Sequence, residues 1–455
     1  MGSLAAGGKY PDASDDTLVL THPTPSEQEQ TWRLNHGEWG GPLDLEAYLK
    51  REPFLTSTAL AANGGMVHWI LTETASTDEF RNVLASCETI RKRVLYAPPP
   101  QCSNSSGDGS GLVREGLAYG IGSVYTYPEF RGKKYAARML RELGVVLKTW
   151  PEEEQKLADC LHAHSNGVSK RAKLEAKEAV CSALWSDIGK RFYAEKGWPA
   201  YDSIHVEFLA LLEPLGGVSS LLERSSSPPG TGLTLAPITK NNIAQLCQKD
   251  EVQLRGELLT HARKTGRTAF AFAPDADVFR WHWAREEFIV PRAMPGREAS
   301  EVRGLIATVA TDGEDTYDTR AEAEKANKAR IWAIWTRNYG SDAATNAAKN
   351  TLYILRLVID TNDTSSDPKA LQLAFDAILS GAMDAARSWN CGTVHLWNPT
   401  PVVKDLIAAS GVAHRFVDRQ MDSIPSMRWY ASDESGEKVT EDAVDWIANE
   451  KYCWC

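Results

Sequence analysis

At 455 residues the chain exceeds what a single core usually fills, so two domains, or one enlarged domain with a companion, are expected. Apolar residues at 43% and charged residues at 24% describe an ordinary globular protein, and no apolar run reaches the roughly 18 to 20 residues of a membrane span. A net charge of −10 argues against broad binding to a nucleic acid backbone, so any anion site must be local. The start, "MGSLAAGGKYPDASDD", has neither the basic residues nor the apolar stretch of a secretory signal. The eight cysteines contain no C-x-x-C pair and read as reduced thiols, which makes a cytoplasmic protein the expectation. With no nearby histidine, the closing "CWC" reads as an exposed tail, and no metal is expected.

In chain order, residues 1–15 read as a flexible start. "SEQEQTWRLNHGEW" predicts a first helix with Ser26 as N-cap and Glu29 as its capping-box partner. "LTSTALAA" and "GGMVHWILTE" read as two strands of a hairpin turning at Asn63-Gly64-Gly65. "TIRKRVLYA" alternates like a strand with one wet face, and "PPPQCSNSSGDGSG" reads as a surface loop. "LVREGLAYGIGSVYT" predicts a strand, followed by the turn "YPEFRGKK" and a helix whose Ala136, Leu140, Leu143 and Leu147 form one apolar stripe. The charged segment over about 151–178 reads as a surface insertion. "AVCSALWSD" returns as a strand, "IGKRFYAEKGW" as a short helix closed by Gly197, and "SIHVEFLALL" as a strand. Residues 213–233, rich in Ser, Gly and Pro, read as a linker between a first domain at 16–212 and a second at 234–455. Beyond it, helices at "NNIAQLCQKDEVQLRGELLTHA", "PKALQLAFDAILSGAMDAARSW" and "PVVKDLIAAS" alternate with strands in an order resembling the first half.

A strand feeding a basic turn at a helix start is a natural anion site, because the first amides of a helix lack partners and its dipole favours negative charge. Arg131, Lys133 and Lys134 add charge there, and Gly132 lets the backbone approach closely. A pyrophosphate suits such a cradle, yet neither G-x-x-x-x-G-K-[ST] nor G-x-G-x-x-G is present.

The six residues Arg131, Gly132, Lys133, Lys134, Tyr135 and Ala136 resemble the acyl-CoA loop of the GNAT acetyltransferases, Arg/Gln-x-x-Gly-x-Gly/Ala, with Lys134 where that pattern has its first glycine. A second match lies about sixty residues on, where "SDIGKRFYAEKGW" places Tyr193 four residues before Gly197-Trp198, as in the short helix that follows the next strand of that family. Within the family, "LWSDIGKRFYAEKGW" and "FRWHWAREEF" look like the fungal lysine N-acetyltransferases, which carry an added carboxy-terminal domain. The resemblance implies an α/β (α+β) fold: a GNAT domain with a mixed central sheet, then a degenerate GNAT-like domain. The second-half turn "TNDTSSDPKALQLAF" is acidic and would repel a pyrophosphate.

The resemblance further implies acetyl-CoA as cosubstrate. The strand end Ser123, Val124, Tyr125 and Thr126 would pair with the pantetheine and polarise the thioester carbonyl; Arg131 to Ala136 would hold the pyrophosphate. Ser186, where the family commonly has a CoA-binding asparagine, and Arg191 complete the expected cofactor set. Tyr193 would protonate the leaving sulfur; a packed core tyrosine is the competing reading. For the base that takes the amine proton, Glu115, Asp187 and His205 stay open, although a lone strand histidine is more often a packed residue. Trp281, His282 and Trp283 are candidates for the acceptor wall, or equally for aromatic core filling. The expected activity is acetyl transfer to a primary amine of a small molecule, free lysine first, by a monomer or homodimer with no nucleic acid or membrane partner. Such an acceptor calls for an acidic pocket for the amine and a separate basic group for the carboxylate, neither of which the sequence singles out. An amino sugar or polyamine as acceptor, or a non-catalytic CoA-binding sensor or scaffold, are the alternatives.

Overall fold

A computed structural model describes residues 10–74, 81–100, 112–162, 178–210, 232–310, 328–360, 367–432 and 436–454. Strand β1 (Leu18–Thr21) leads to helix α1 (Pro25–Trp39), whose capping box is built by Thr24 and Glu27, two residues before the expected pair. Helix α2 (Leu45–Thr56), capped by Asp44, ends two residues into "LTSTALAA", and residues 57–65 form turns and bends, so the first strand of the expected hairpin is not formed. Then come β2 (Met66–Glu73), β3 (Ala85–Ala97), β4 (Arg114–Thr126), α3 (Tyr135–His162), β5 (Cys181–Ser186), the one-turn α4 (Arg191–Ala194) and β6 (Ile204–Leu209). The second half supplies β7 (Leu233–Ile238), α5 (Ile243–Thr265), β8 (Thr268–Phe272), α6 (Ala276–Ala293), β9 (Gly304–Ala310), β10 (Lys328–Asn338), β11 (Thr351–Ile359), α7 (Pro368–Ser388), β12 (Thr393–Trp397), α8 (Pro401–Ala409), β13 (His414–Asp418), β14 (Ile424–Trp429) and β15 (Val444–Trp446). Helix α3 continues through Pro151 into the segment expected as an insertion; residues 163–177 lie outside the description, as do the loop at 101–111 and most of the acidic turn before α7.

Two mixed sheets result. The first runs β1-β2-β3-β4-β5-β14, with β8 pairing to the far half of β3 and β15 to β8; the second runs β13-β6-β12-β11-β10-β9-β7. Most neighbours are antiparallel; the parallel junctions are β4 with β5 and β15 with β8 in the first sheet and β11 with β12 in the second. Strands cross between the halves: β6, expected in the first domain, lies between β12 and β13, while β14 of the second half pairs with β5 and β8, carrying β15, pairs with β3. The Ser/Gly/Pro-rich stretch therefore joins β6 and β7, two strands of one sheet, and the sheets do not divide there.

Helix α3 covers one face of the first sheet, burying Met139, Leu140, Leu143 and Leu147 against Trp69, Tyr119 and Leu184. Helix α7 covers the outer face of the second in the same way. The inner faces meet through Trp185, Met427 and Trp429 on one side and Trp332, Ile334 and Trp397 on the other. "IWAIW" in β10 is accordingly buried on both faces, with Ile331, Ala333 and Trp335 toward α7 and Trp332 and Ile334 toward the first sheet. No helix of the described residues is long and apolar enough to cross a membrane.

Candidate active site

The site starts from a β-bulge. Across β3 and β4, Ser86 faces Tyr125 and Glu88 faces Gly122, so Ser123 and Val124 together oppose Cys87 alone. Ser123 takes φ +50°, a left-handed conformation costly for a non-glycine residue, and its Oγ donates to Glu88 Oε1 at 2.8 Å. Beyond Ile121, β4 no longer pairs with β5, so its edge amides turn toward a cavity of about 670 Å³. Ser123, Val124, Tyr125, Thr126, Arg131, Ala136, Asp187, Tyr193 and Trp281 all line this cavity, which brings together much of the expected set.

At its outer end stands the basic loop. Gly132 has φ +78° and Lys134 φ +67°, so Lys134 adopts the backbone conformation that a glycine would supply at that position. The first bond of α3 runs from the Arg138 amide to the Lys134 carbonyl, which leaves the preceding amides aimed out of the helix. Arg131 donates to the Thr126 carbonyl and to Tyr125 Oη, both at 3.1 Å, and is half exposed. Lys133 instead lies over the Tyr10 ring, and Tyr135 is a core residue whose hydroxyl donates to the Pro11 carbonyl. Tyr193 is buried beside the cavity, and burial, then Asp187, push its hydroxyl pKa upward. Ser186 is occupied elsewhere, donating to the Gly189 carbonyl and accepting from the Ile188 amide. Arg191 points outward, 91% exposed and paired to Glu195.

The inner end carries charges the sequence did not single out. Glu88 on β3 and Glu52 on α2 line the cavity with Tyr48 and Arg51. Desolvation raises the pKa of both carboxyls; Arg51 pulls the other way on each, and the Ser123 bond does so on Glu88. Arg51 pairs with Glu52 and also donates to the Trp39 carbonyl. His68 sits 3.7 Å from Glu88 and is kept neutral, its pKa pulled down to about 4 by burial.

Of the proposed bases, Glu115 lies eight residues up β4 from the bulge, bound to Arg93 and Arg255. Desolvation raises its pKa, but the hydrogen bonds from both arginines outweigh this and leave it a lowered, outward-facing carboxylate. His205 is in the second sheet, stacked on His395 and 3.0 Å from Glu207. The ligand atoms of these three lie within 4.8 Å of one another, but Arg415 already donates to Glu207 and the Arg419 charge acts on both histidines, which opposes a cation there. Asp187 does line the cavity, where it accepts the Ser423 amide at 2.9 Å.

From the second half, α6 contributes unevenly. Trp281 faces the cavity; His282 faces an adjoining chamber of about 340 Å³ and bonds the Tyr452 carbonyl; Trp283 is core, donating to the Trp335 carbonyl. Arg285, one turn beyond Trp281, lines both spaces. The tail is not exposed: Tyr452 and Cys453 are fully buried, Lys92 donates to the Cys453 carbonyl at 2.6 Å, and Trp454 lines both spaces; Cys455 lies outside the described residues.

Such a pair of mixed sheets, one with a bulged strand and a basic helix start, has the form expected of a GNAT-like fold. A family model described as the LYC1 GNAT-like C-terminal domain matches residues 220–455, just over half of the chain, and the chain belongs to that family. The uncharacterized protein YGR111W of Saccharomyces cerevisiae is 26% identical over 311 residues, 63% of this chain and 68% of its own length. A Yarrowia lipolytica protein named lysine acetyltransferase is 24% identical over 282 residues, 58% of this chain and 64% of its own. Among solved structures, a conserved protein of unknown function from Enterococcus faecalis V583, titled a probable N-acyltransferase, is 12% identical with a TM-score of 0.43, over 91% of this chain and 73% of that one. A GCN5-related N-acetyltransferase from Kribbella flavida is 13% identical with a TM-score of 0.42, over 90% and 71%.

Proposed function

We propose that the protein is an acetyl-CoA-dependent N-acetyltransferase acting on a primary amine of a small molecule, with free lysine the first acceptor to test. The observation that carries the reading is the bulge at Ser123–Val124, which opens β4 from β5 inside a cavity bounded by the Arg131 loop at one end and by Glu52 and Glu88 at the other. The name of the Yarrowia lipolytica relative supports lysine as acceptor.

Bound acetyl-CoA would supply the thioester. Arg131 and the amides at the start of α3 would hold its pyrophosphate, and the freed edge of β4 would donate to the carbonyl oxygen, where negative charge develops during attack. Glu88 takes the proton from the acceptor ammonium. Its raised pKa brings a carboxylate closer to the acidity a base needs near neutral pH, and the acidic surroundings favour a cationic amine. Tyr193 holds a proton at the place where the thiolate would leave, and its raised pKa keeps that proton on the hydroxyl until then.

Acetyl-CoA consumption with mass detection of the product, across lysine, its homologues, amino sugars, polyamines and a histone-tail peptide, tests this. Product from a small amine is expected. Tight CoA binding with no product from any of them would favour a sensor.

A further inference from the structure

Arginines enclosed in this fold are matched to carboxylates. Arg51 holds Glu52, Arg303 and Arg337 share Glu286, and Arg356 lies between Asp250 and Glu450. Arg285 departs from this. Its one hydrogen bond among the described residues is from Nη1 to Asn338 Oδ1 at 3.1 Å, and its guanidinium lies 5.7 Å from the centre of the Trp454 ring. No carboxylate of the described residues lies within ion-pair distance of it. Arg419 also lacks a carboxylate within that distance, but it stacks on Trp397 and lines neither the cavity nor the chamber.

A cation taken out of water without a counter-charge is expensive, which is why enclosed charges are ordinarily paired. Desolvation, then the repulsion of Arg51, bring the Arg285 pKa down to about 10 against the attraction of Glu52, so it is still charged at neutral pH. The fold therefore keeps a positive charge with no ion-pair partner among the described residues on the wall of two adjoining spaces. Lys451 on the same chamber wall has its ammonium over the Tyr353, Trp397 and Trp454 rings. Glu52 and Glu88 line the same cavity with the opposite charge.

We infer that Arg285 receives the carboxylate of the acceptor, so that the acceptor is an amino acid presenting a primary amine at the far end of its side chain. The inference rests on the proposed acetyl transfer and deepens it. Such a molecule places its ammonium among the acidic residues by the bulge and its carboxylate against Arg285, and each end meets its complement. A polyamine would set a second ammonium against Arg285, and an amino sugar would leave the guanidinium facing neutral hydroxyls. Asn338 holds the guanidinium in place and leaves its remaining N–H groups for a bidentate carboxylate.

The test compares lysine, lysinamide and 1,5-diaminopentane as acceptors for the wild-type chain and for Arg285→Gln, with kcat and KM measured separately. In the wild type, kcat/KM for lysine should exceed that for lysinamide by on the order of 100-fold, as when one partner of an enclosed charge pair is removed. In Arg285→Gln that preference should collapse to within a few fold, mostly through KM for lysine. Equal use of lysine and lysinamide by the wild type would overturn the inference while leaving acetyl transfer standing, and this comparison does not depend on the variant folding. A preference that survives undiminished in Arg285→Gln would also overturn it. If no amine yields product, the transferase reading fails and takes the inference with it.

Discussion

Glu88→Gln tests the chemistry most directly, because the amide has nearly the shape of the carboxylate and its oxygen can still accept the Ser123 hydroxyl now 2.8 Å from Glu88. What it cannot do is take a proton. General bases typically contribute about 10²- to 10⁴-fold, roughly 3 to 5 kcal/mol of barrier, so kcat in the variant should fall by that factor. CoA affinity should stay close to the wild-type value, because the pyrophosphate cradle at Arg131 lies at the other end of the cavity. Desolvation raises the Glu88 pKa, so the acid limb of the wild-type kcat/KM profile should sit above the ordinary glutamate range and be absent from the variant. The same shift has a stability sign. A carboxyl with a raised folded-state pKa gives its full contribution below the unfolded value and loses it as pH rises through the folded one. Ionised Glu88 thus opposes folding at neutral pH, by about 1.4 kcal/mol for each tenfold change in its acidity. Glu88→Gln should therefore melt higher than wild type near neutral pH, with the gap closing in acid. A variant that is less active and more stable is the signature of a base held under desolvation. Turnover within about threefold of wild type would refute the role, and joint loss of activity and melting temperature would reduce Glu88 to a structural residue.

Tyr193→Phe should lose on the order of 100-fold in turnover while keeping CoA affinity, read by single-turnover acetylation beside direct CoA binding; full turnover would remove Tyr193 as the acid. Lys134→Gly should raise stability, since φ +67° costs a side chain on the order of 1 kcal/mol, whereas Lys134→Ala keeps the strain; thermal melts of the two should separate. Because β6 and β14 are exchanged between the sheets, 1–212 and 213–455 expressed alone should each fail to fold, and the intact chain should melt in one calorimetric transition; two independent transitions would contradict the exchange.

The strand, loop and helix around Arg131 are legible because each rests on local chemistry: a run of strand-forming residues to Thr126, a Gly at positive φ, and a 3.6-residue stripe on α3. Helix α2 starts at an available N-cap, Asp44, but only its last two residues, Leu55 and Thr56, fall in a stretch the sequence reading assigns, and there the short run "LTSTALAA" reads as a strand. The exchange of β6 and β14 leaves no local trace. Val206 and Phe208 are buried in the second sheet, but an alternating strand states which face it buries, not which sheet receives it.

The least legible residues are the ones the proposed chemistry uses, and the reason is physical. Glu88 stands in "ASCETIRKRV", where a charge every few residues is what a solvated strand face looks like, and Arg285 stands in "FRWHWAREEF", where the aromatics draw attention from the cation between them. A charge enclosed at a site and a charge in water are the same letter. What separates them is desolvation, which the fold imposes only when α2, β3 and the second-half helix α6 close around one space. Among the described residues the second half contributes no phosphate loop to that space, yet without Trp281, Arg285 and Trp454 the inner end would lie open to water, and neither the raised pKa of Glu88 nor the lowered pKa of Arg285 would persist.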